Sequence, residues 1–177
     1  SMAAPAKTAS GASAVPQGVS NEELVRWTFG RINAHDIEAI KPLWKNTVEH
    51  FPQGTRRGAD AIADYFYEAI NAMPADFQLE MIALSATGDD VFVRWEMTGT
   101  FNGSKFNGIA PTGGVIELGG IDHFVIRDGA IVSNDVQFDQ MSFARQLGML
   151  PEDNSLVDKA LKSLFNVKTR AAGAIKR

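Results

Sequence analysis

From Val91 to Pro151 the chain alternates, and whatever fold it adopts must cover the result. Apolar residues fall at every second position through three consecutive runs, the period of strands with one buried face. The runs break at residues 108–114, Gly-Ile-Ala-Pro-Thr-Gly-Gly, and at Arg127-Asp128-Gly129-Ala130. Asp-Gly between alternating runs is a strong signal for a two-residue hairpin, because both central residues of that turn need positive φ. The pattern predicts a three-stranded antiparallel meander of long strands that ends in a short helix.

What comes before it has helical period. Ser20-Asn21-Glu22-Glu23 reads as a capping box, in which the Ser hydroxyl and the Glu three places on satisfy each other's free backbone amides. Leu24, Val25, Trp27, Phe29 and Ile32 then form an apolar stripe, with Trp27 either in the core or stacked on a ligand. Asn33-Ala34-His35-Asp36 breaks this helix, and Asp36 is placed to cap a second one from Ile37 to Trp44. Val48 to Pro52 alternates like a short strand, and Gly54 to Gly58 forms a loop. A third helix from Ala59 to about Met73 carries Ile62, Tyr65, Phe66, Ala69 and Ile70 on one face, where Tyr65 is either a core-edge aromatic or a hydroxyl offered to a pocket. Phe77 to Met81 opens the sheet, and Gly88-Asp89-Asp90 turns it into Val91. Helices followed by an antiparallel sheet give an α+β fold.

The ends differ in character. Residues 1–19 are small, polar and punctuated by Pro and Gly, the composition of a disordered segment, and Ser1-Met2 reads as a cloning remnant. Residues 20–151 form the domain. In 152–177, Leu156, Ala160, Leu161, Leu164 and Phe165 give a helical stripe, while Lys168, Arg170, Lys176 and Arg177 leave the last ten residues without an acid. That segment fits a docked helix with a frayed basic end, or a helix that packs over a pocket mouth or a partner subunit.

The totals narrow the function. A chain of 177 residues suits one domain with a substantial core. Its formal charge of −4 argues against nucleic acid as a partner, since phosphate binding needs a basic surface. Without cysteine, disulfides, thiolate metal sites and thiol nucleophiles are excluded. No apolar run approaches the roughly 20 residues of a membrane span and no secretory signal opens the chain, so no membrane partner and a cytoplasmic location are expected. There is no Gly-x-Ser-x-Gly, no phosphate loop and no metal-ligand spacing among His35, His50 and His123, so neither metal nor cofactor is expected.

Strand pairing sorts the candidate site residues. A two-residue turn at Asp128-Gly129 pairs Arg127 with Ala130 and sets His123 opposite Asn134. One face then holds Ile121, His123 and Val125 with Val132, Asn134, Val136 and Phe138, an apolar wall bearing a few polar groups, as ligand cavities do. Asp122, Phe124, Ser133, Asp135 and Gln137 take the other face. A preceding turn near Ile109 to Thr112 brings His123 near Thr98 and adds Phe92, Arg94 and Glu96 to its face, although one bulge reverses every such assignment. Arg94 and Glu96 are either a surface salt bridge worth under about 1 kcal/mol or a pocket carboxylate held by a guanidinium. Asp139 is either the N-cap of a helix from Gln140 to Leu147 or a catalytic carboxylate. Val91, Val93, Trp95 and Met97, on the opposite side of their strand, predict a homodimer through an apolar outer face.

A family resemblance rests on the same stretch. Val93-Arg94-Trp95, Gly99-Thr100, residues 108–113, Asp128-Gly129-Ala130-Ile131-Val132, and Asp139 with Arg145-Gln146-Leu147-Gly148 resemble the SnoaL-like polyketide cyclase (ester cyclase) family of the nuclear transport factor 2-like superfamily, across roughly residues 21–151. The resemblance implies an α+β cone, with N-terminal helices packed on a curved antiparallel sheet around one pocket, and dimeric association. It also implies a cofactor-independent cyclase or isomerase-like enzyme that moves protons beside the carbonyl of a hydrophobic, polyketide-like molecule. His123 and Glu96 are the acid/base candidates, Asp139 a further one, Arg94 positions Glu96 or an oxyanion, and Asn134 donates to substrate. His50 occupies a strand from which relatives line their cavity. The alternatives are a non-catalytic small-ligand binder and an epoxide hydrolase of the limonene epoxide hydrolase type. Ser133, Asn134 and Asp135 replace the family's common Glu-His-Trp, which favours the binder. Val136 stands where the epoxide hydrolases carry a last-strand Asp, which disfavours the hydrolase.

Overall fold

The computed structural model describes residues 14–176. Helix α1 (Asn21–Asn33) starts at the capping box, with Ser20 Oγ accepting the Glu23 N–H at 3.1 Å and the Glu23 carboxylate accepting the Ser20 N–H at 3.4 Å. The second helix is shorter than its sequence suggested, α2 covering Lys41–Trp44 alone. Pro42 has no N–H to bond a preceding turn and sits where a helix start needs none, while Asp36 pairs with Arg31 at 3.5 Å instead of capping. Then come β1 (Val48–Phe51), β2 (Gly54–Arg57), α3 (Ala59–Ala72), β3 (Gln78–Thr87), β4 (Asp90–Thr100), β5 (Val115–Arg127), β6 (Ala130–Phe138), α4 (Gln140–Leu147) and α5 (Leu156–Ile175). Residues 14–19 lack regular structure, yet Val15 and Val19 pack against the core. The disorder expected for residues 1–13 lies outside the described residues.

The six strands form one curved sheet in the order β2-β1-β6-β5-β4-β3, with α1 and α3 on its inner side, the α+β arrangement expected from the order of helices and strands. Asp128 and Gly129 both have positive φ, 51° and 74°, as the Asp-Gly turn requires. One pairing departs from the antiparallel expectation, because β1 joins β6 in parallel and sets Glu49 beside Asn134.

The faces are reversed by one residue. From the turn, Arg127 meets Ala130 and Ile126 meets Ile131, but Val125 meets Ser133, so Val132 is an extra residue on β6. Beyond it His123 stands opposite Asp135 rather than Asn134, and Phe124 takes the place opposite Asn134. A bulge does this because side chains alternate with a period of two, so one insertion exchanges inside and outside. His123 does share a face with Phe92, Arg94 and Glu96, but it is the outer one. Val91, Val93 and Trp95, expected on an exposed dimer face, are core, and Met97 packs against that core. The expected outer row is therefore corrected to Phe92, Ile121, Val132 and Ile82, all more than a third exposed.

Candidate functional site

Inside the sheet lies a cavity walled by apolar side chains, among them Phe51, Phe66, Met73, Leu118 and Phe143, and by two acids, Glu49 and Asp122. Glu49 arrives on β1, whose alternation buries Glu49 and Phe51 and turns His50 outward. Asp122 arrives on β5, in the row Ile116, Leu118, Gly120, Asp122, Phe124 and Ile126, all buried except the partly covered Gly120. Asn134 follows the bulge on β6 and stands next to Glu49 through the parallel pairing.

Each acid has one holder. Asn134 Nδ2 donates to Glu49 Oε1 at 2.7 Å, and Trp95 Nε1 donates to Asp122 Oδ1 at 2.9 Å. The second bond depends on Gly120, which faces Trp95 across the β4–β5 pair. A Cβ at position 120 would lie 2.2 Å from the indole, so only a glycine lets the ring lie across β5 and reach Asp122. Glu49 Oε2 and Asn134 Oδ1 are buried without a hydrogen-bond partner among the described residues.

Burial governs the charge state of both acids. Desolvation pushes the Glu49 carboxyl up to about 8, against the hydrogen bond from Asn134 and with help from the Asp122 charge. Desolvation likewise raises Asp122 to about 7, opposed first by the Trp95 N–H and then by the nearby Asn134 amide. Two nearby carboxyls in an apolar wall resist ionising together, and protons leave such a pair in two steps that belong to both groups. Burial thus favours the protonated form of both acids, and each raises the cost of ionising the other.

An aromatic pair lies between the cavity and an outer recess. Phe51 and Tyr65 stack with ring centroids 3.7 Å apart, and both also line an outer recess with Gln53, Thr55, Arg56 and Asn107. The Arg56 guanidinium lies 5.5 Å from the Tyr65 ring centroid, and burial holds the Tyr65 phenol well above its ordinary range. The inner space is about 50 Å³, room for a few waters. A ring-sized ligand therefore needs movement of adaptable lining such as Met73 and Met97.

Of the residues singled out in the sequence, Tyr65, Val136 and Phe138 line this cavity, and Asn134 supports it through Glu49. The others are elsewhere. His123 bonds Asp90 Oδ1 at 2.8 Å and stacks on Phe92 on the outer face. Arg94 and Glu96 are exposed on that same face, and Arg94 borders a shallow hollow with Gly119, Ile121 and Gln137. His50 is exposed, its Nδ1 3.0 Å from Thr55 Oγ1. Asp139 caps α4 by accepting the Ser142 N–H at 3.0 Å, and Trp27 packs half-buried against the core. Glu49, Asp122 and Trp95 were missed. A count along β5 alone carries the missing signal, since the row containing Asp122 is more apolar than the row containing His123. Among the described residues no three His, Asp or Glu side chains gather where they could hold a metal ion.

Comparison with known proteins gives a consistent picture. A family model described as SnoaL-like polyketide cyclase matches residues 22–147. Similar solved structures include AclR from Streptomyces galilaeus, a proposed hydroxylase, at 23% identity and TM-score 0.66, covering 85% of this chain and 95% of that one. TsrD from Streptomyces laurentii aligns at 22% identity and TM-score 0.66 over 75% and 99% of the two chains. IdmH from Streptomyces antibioticus, a proposed polyketide cyclase, aligns at 25% identity and TM-score 0.61 over 72% and 97%. No curated protein sequence matches.

Proposed function

Since the chain belongs to the SnoaL-like polyketide cyclase family, we propose that it is a cofactor-independent cyclase or isomerase-like enzyme, working as a homodimer on a hydrophobic, carbonyl-bearing, polyketide-like molecule. The observation that carries this reading is the buried pair of Glu49 and Asp122 in an apolar cavity, both with raised pKa. Asp122, whose carboxylate accepts the Trp95 N–H, is assigned as the base, and Glu49, whose Oε2 is buried without a partner among the described residues, as the acid. Asp122 removes a proton from the carbon beside the substrate carbonyl while Glu49 protonates the carbonyl oxygen, so a C–H bond breaks and an O–H bond forms without a full enolate charge in the apolar space. The resulting enol either takes a proton back at another position, an isomerisation, or attacks a second carbonyl within the molecule, a ring closure. Returning the protons restores the pair. A base and an acid poised near neutral pH each supply roughly a hundred- to ten-thousandfold. Trp95 orients Asp122 and Asn134 orients Glu49, while His123, Glu96 and Asp139 take no part.

The test uses a bicyclic aromatic β-keto ester in heavy water, with exchange at its activated carbon followed by NMR. The parent protein should accelerate exchange, and Asp122→Asn should remove roughly a hundredfold or more of that acceleration. Equal exchange by parent and variant would overturn the assignment. Saturable binding of the ester by a parent protein that exchanges nothing would leave the binder reading in its place.

A further inference from the structure

The helix α5 leaves the domain with its apolar side largely exposed. Its first turns are tied down: Asp158 is buried and accepts the Asn154 N–H at 2.9 Å, Lys162 reaches Asp158 at 2.7 Å and Asp153 at 3.2 Å, and Leu161 and Phe165 border a shallow recess with Met141 and Arg145 of α4. From Lys159 to Lys176 every residue is exposed. Val157, Leu161, Leu164, Phe165 and Ile175 recur at helical spacing on one side, Phe165 being 68% exposed, and Lys159, Lys162 and Arg170 occupy the other. Twenty residues of helix extend about 30 Å, and a bare apolar row of that length exceeds what a monomer normally leaves in water.

A matching surface exists on the same chain. The outer face of the sheet exposes Ile82, Phe92, Ile121 and Val132, interspersed with the exposed acids Glu80, Glu96 and Asp135. Beside Ile121, Gly119 leaves a side-chain-sized hollow bordered by Arg94 and Gln137. The charges of the two parts are opposed. Residues 156–177 hold six of the chain's 17 Lys and Arg and one of its 21 Asp and Glu, so the remainder holds eleven cations against twenty acids. Lys168 falls within the apolar arc of α5 and Lys176 at its edge, where they meet acids on whatever the helix covers.

We propose that α5 is an exchanged arm, laid across the outer face of the sheet in a second copy of this chain while that copy's helix covers the first. Reciprocal exchange closes under a two-fold axis and covers both bare surfaces at once. A basic amphipathic helix also suits an anionic lipid surface, but the acidic body behind it opposes that approach. The arm is independent of the acid pair, so the chemistry of Glu49 and Asp122 can stand or fail without it, while a monomeric parent would remove the homodimer from both readings.

Light scattering on the full chain decides it, with two variants at exposed positions, Phe165→Asp on the arm and Ile121→Asp on the sheet. The parent should show twice the chain mass of 19.2 kDa at micromolar concentration and dissociate more readily as salt rises. Each variant should weaken the dimer roughly tenfold or more while circular dichroism stays unchanged; a variant that unfolds is replaced by Phe165→Ser or Ile121→Ser. Mixing the two variants should recover part of the association, because the intact arm of one still fits the intact sheet of the other and restores one of the two contacts. A monomeric parent, a dimer indifferent to either variant, or a mixture that stays monomeric would overturn the exchanged arm. Parent monomer that co-sediments with phosphatidylserine vesicles would overturn it in favour of a lipid-facing helix.

Discussion

Asp122 and His123 are neighbours on one strand with opposite surroundings. Asp122 faces a closed apolar wall, is held by one indole N–H, and has its proton affinity raised by burial. His123 faces outward, partly exposed, with an exposed carboxylate beside it and a phenyl ring under it. Outside, water screens charge and ion pairs contribute little; inside, the lack of water turns an ordinary carboxyl into a group that exchanges protons near neutral pH. Residue type alone favours the imidazole as the acid/base group. The environment favours the carboxyl.

The strongest way to break this contrast is to remove each neighbour in turn. Asp122→Asn should lower turnover on a true substrate by roughly a hundredfold or more, and adding Glu49→Gln should cost little further, because groups acting as a unit are not additive. His123→Ala should leave turnover within about twofold. Steady-state kinetics showing the reverse order would move the chemistry to the outer face.

Stability against pH separates the two sides next. Glu49 and Asp122 hold protons in the folded protein that the unfolded chain releases at ordinary carboxyl values. The native state therefore binds more protons in between, and stability falls as pH rises from about 4 to about 8. Glu49→Gln or Asp122→Asn should flatten that decline by a few kcal/mol in urea titrations, whereas His123→Ala should leave the carboxyl-driven slope in place.

Adjacent glycines on β5 sharpen the comparison in a purely steric way. Gly120→Ala drives a methyl into Trp95 and should cost about 1 to 3 kcal/mol, with some loss of activity through a displaced Asp122. At Gly119, which points outward, an added methyl would meet nothing nearer than 3.9 Å, so Gly119→Ala should be neutral or slightly stabilising. Thermal melts of the two variants suffice. The smallest effect belongs to Asp139→Ala, which should cost about 1 kcal/mol for the lost cap of α4 and leave turnover unchanged.

Local signals in the sequence carried the fold far. The capping box at Ser20, the Asp128-Gly129 hairpin and the Asp139 cap depend on residues a few places apart, and each formed as its chemistry requires. The site was legible only in part. Tyr65, Val136 and Phe138 were placed in the cavity wall, but the catalytic candidates landed outside because the extra residue Val132 is fixed by packing across the sheet rather than by a local motif. Glu49 escaped for another reason: its partner Asn134 is 85 positions away, joined by a parallel pairing that short-range patterns do not announce.

That parallel pairing makes the buried acid pair a closure across two parts of the chain. Three residue pairs, Val48 to His50 against Ser133 to Asp135, fasten β1 to β6, and Glu49 is the middle one. While at least one of the two acids keeps its proton, little charge repulsion acts on the seam. Once both are ionised, their repulsion falls on this short seam, and local opening that admits water becomes the easiest relief. The same two carboxyls thus act as a latch, so that alkaline conditions should first unzip the β1–β2 edge, visible as early amide exchange there, while the β4–β5–β6 meander stays shut.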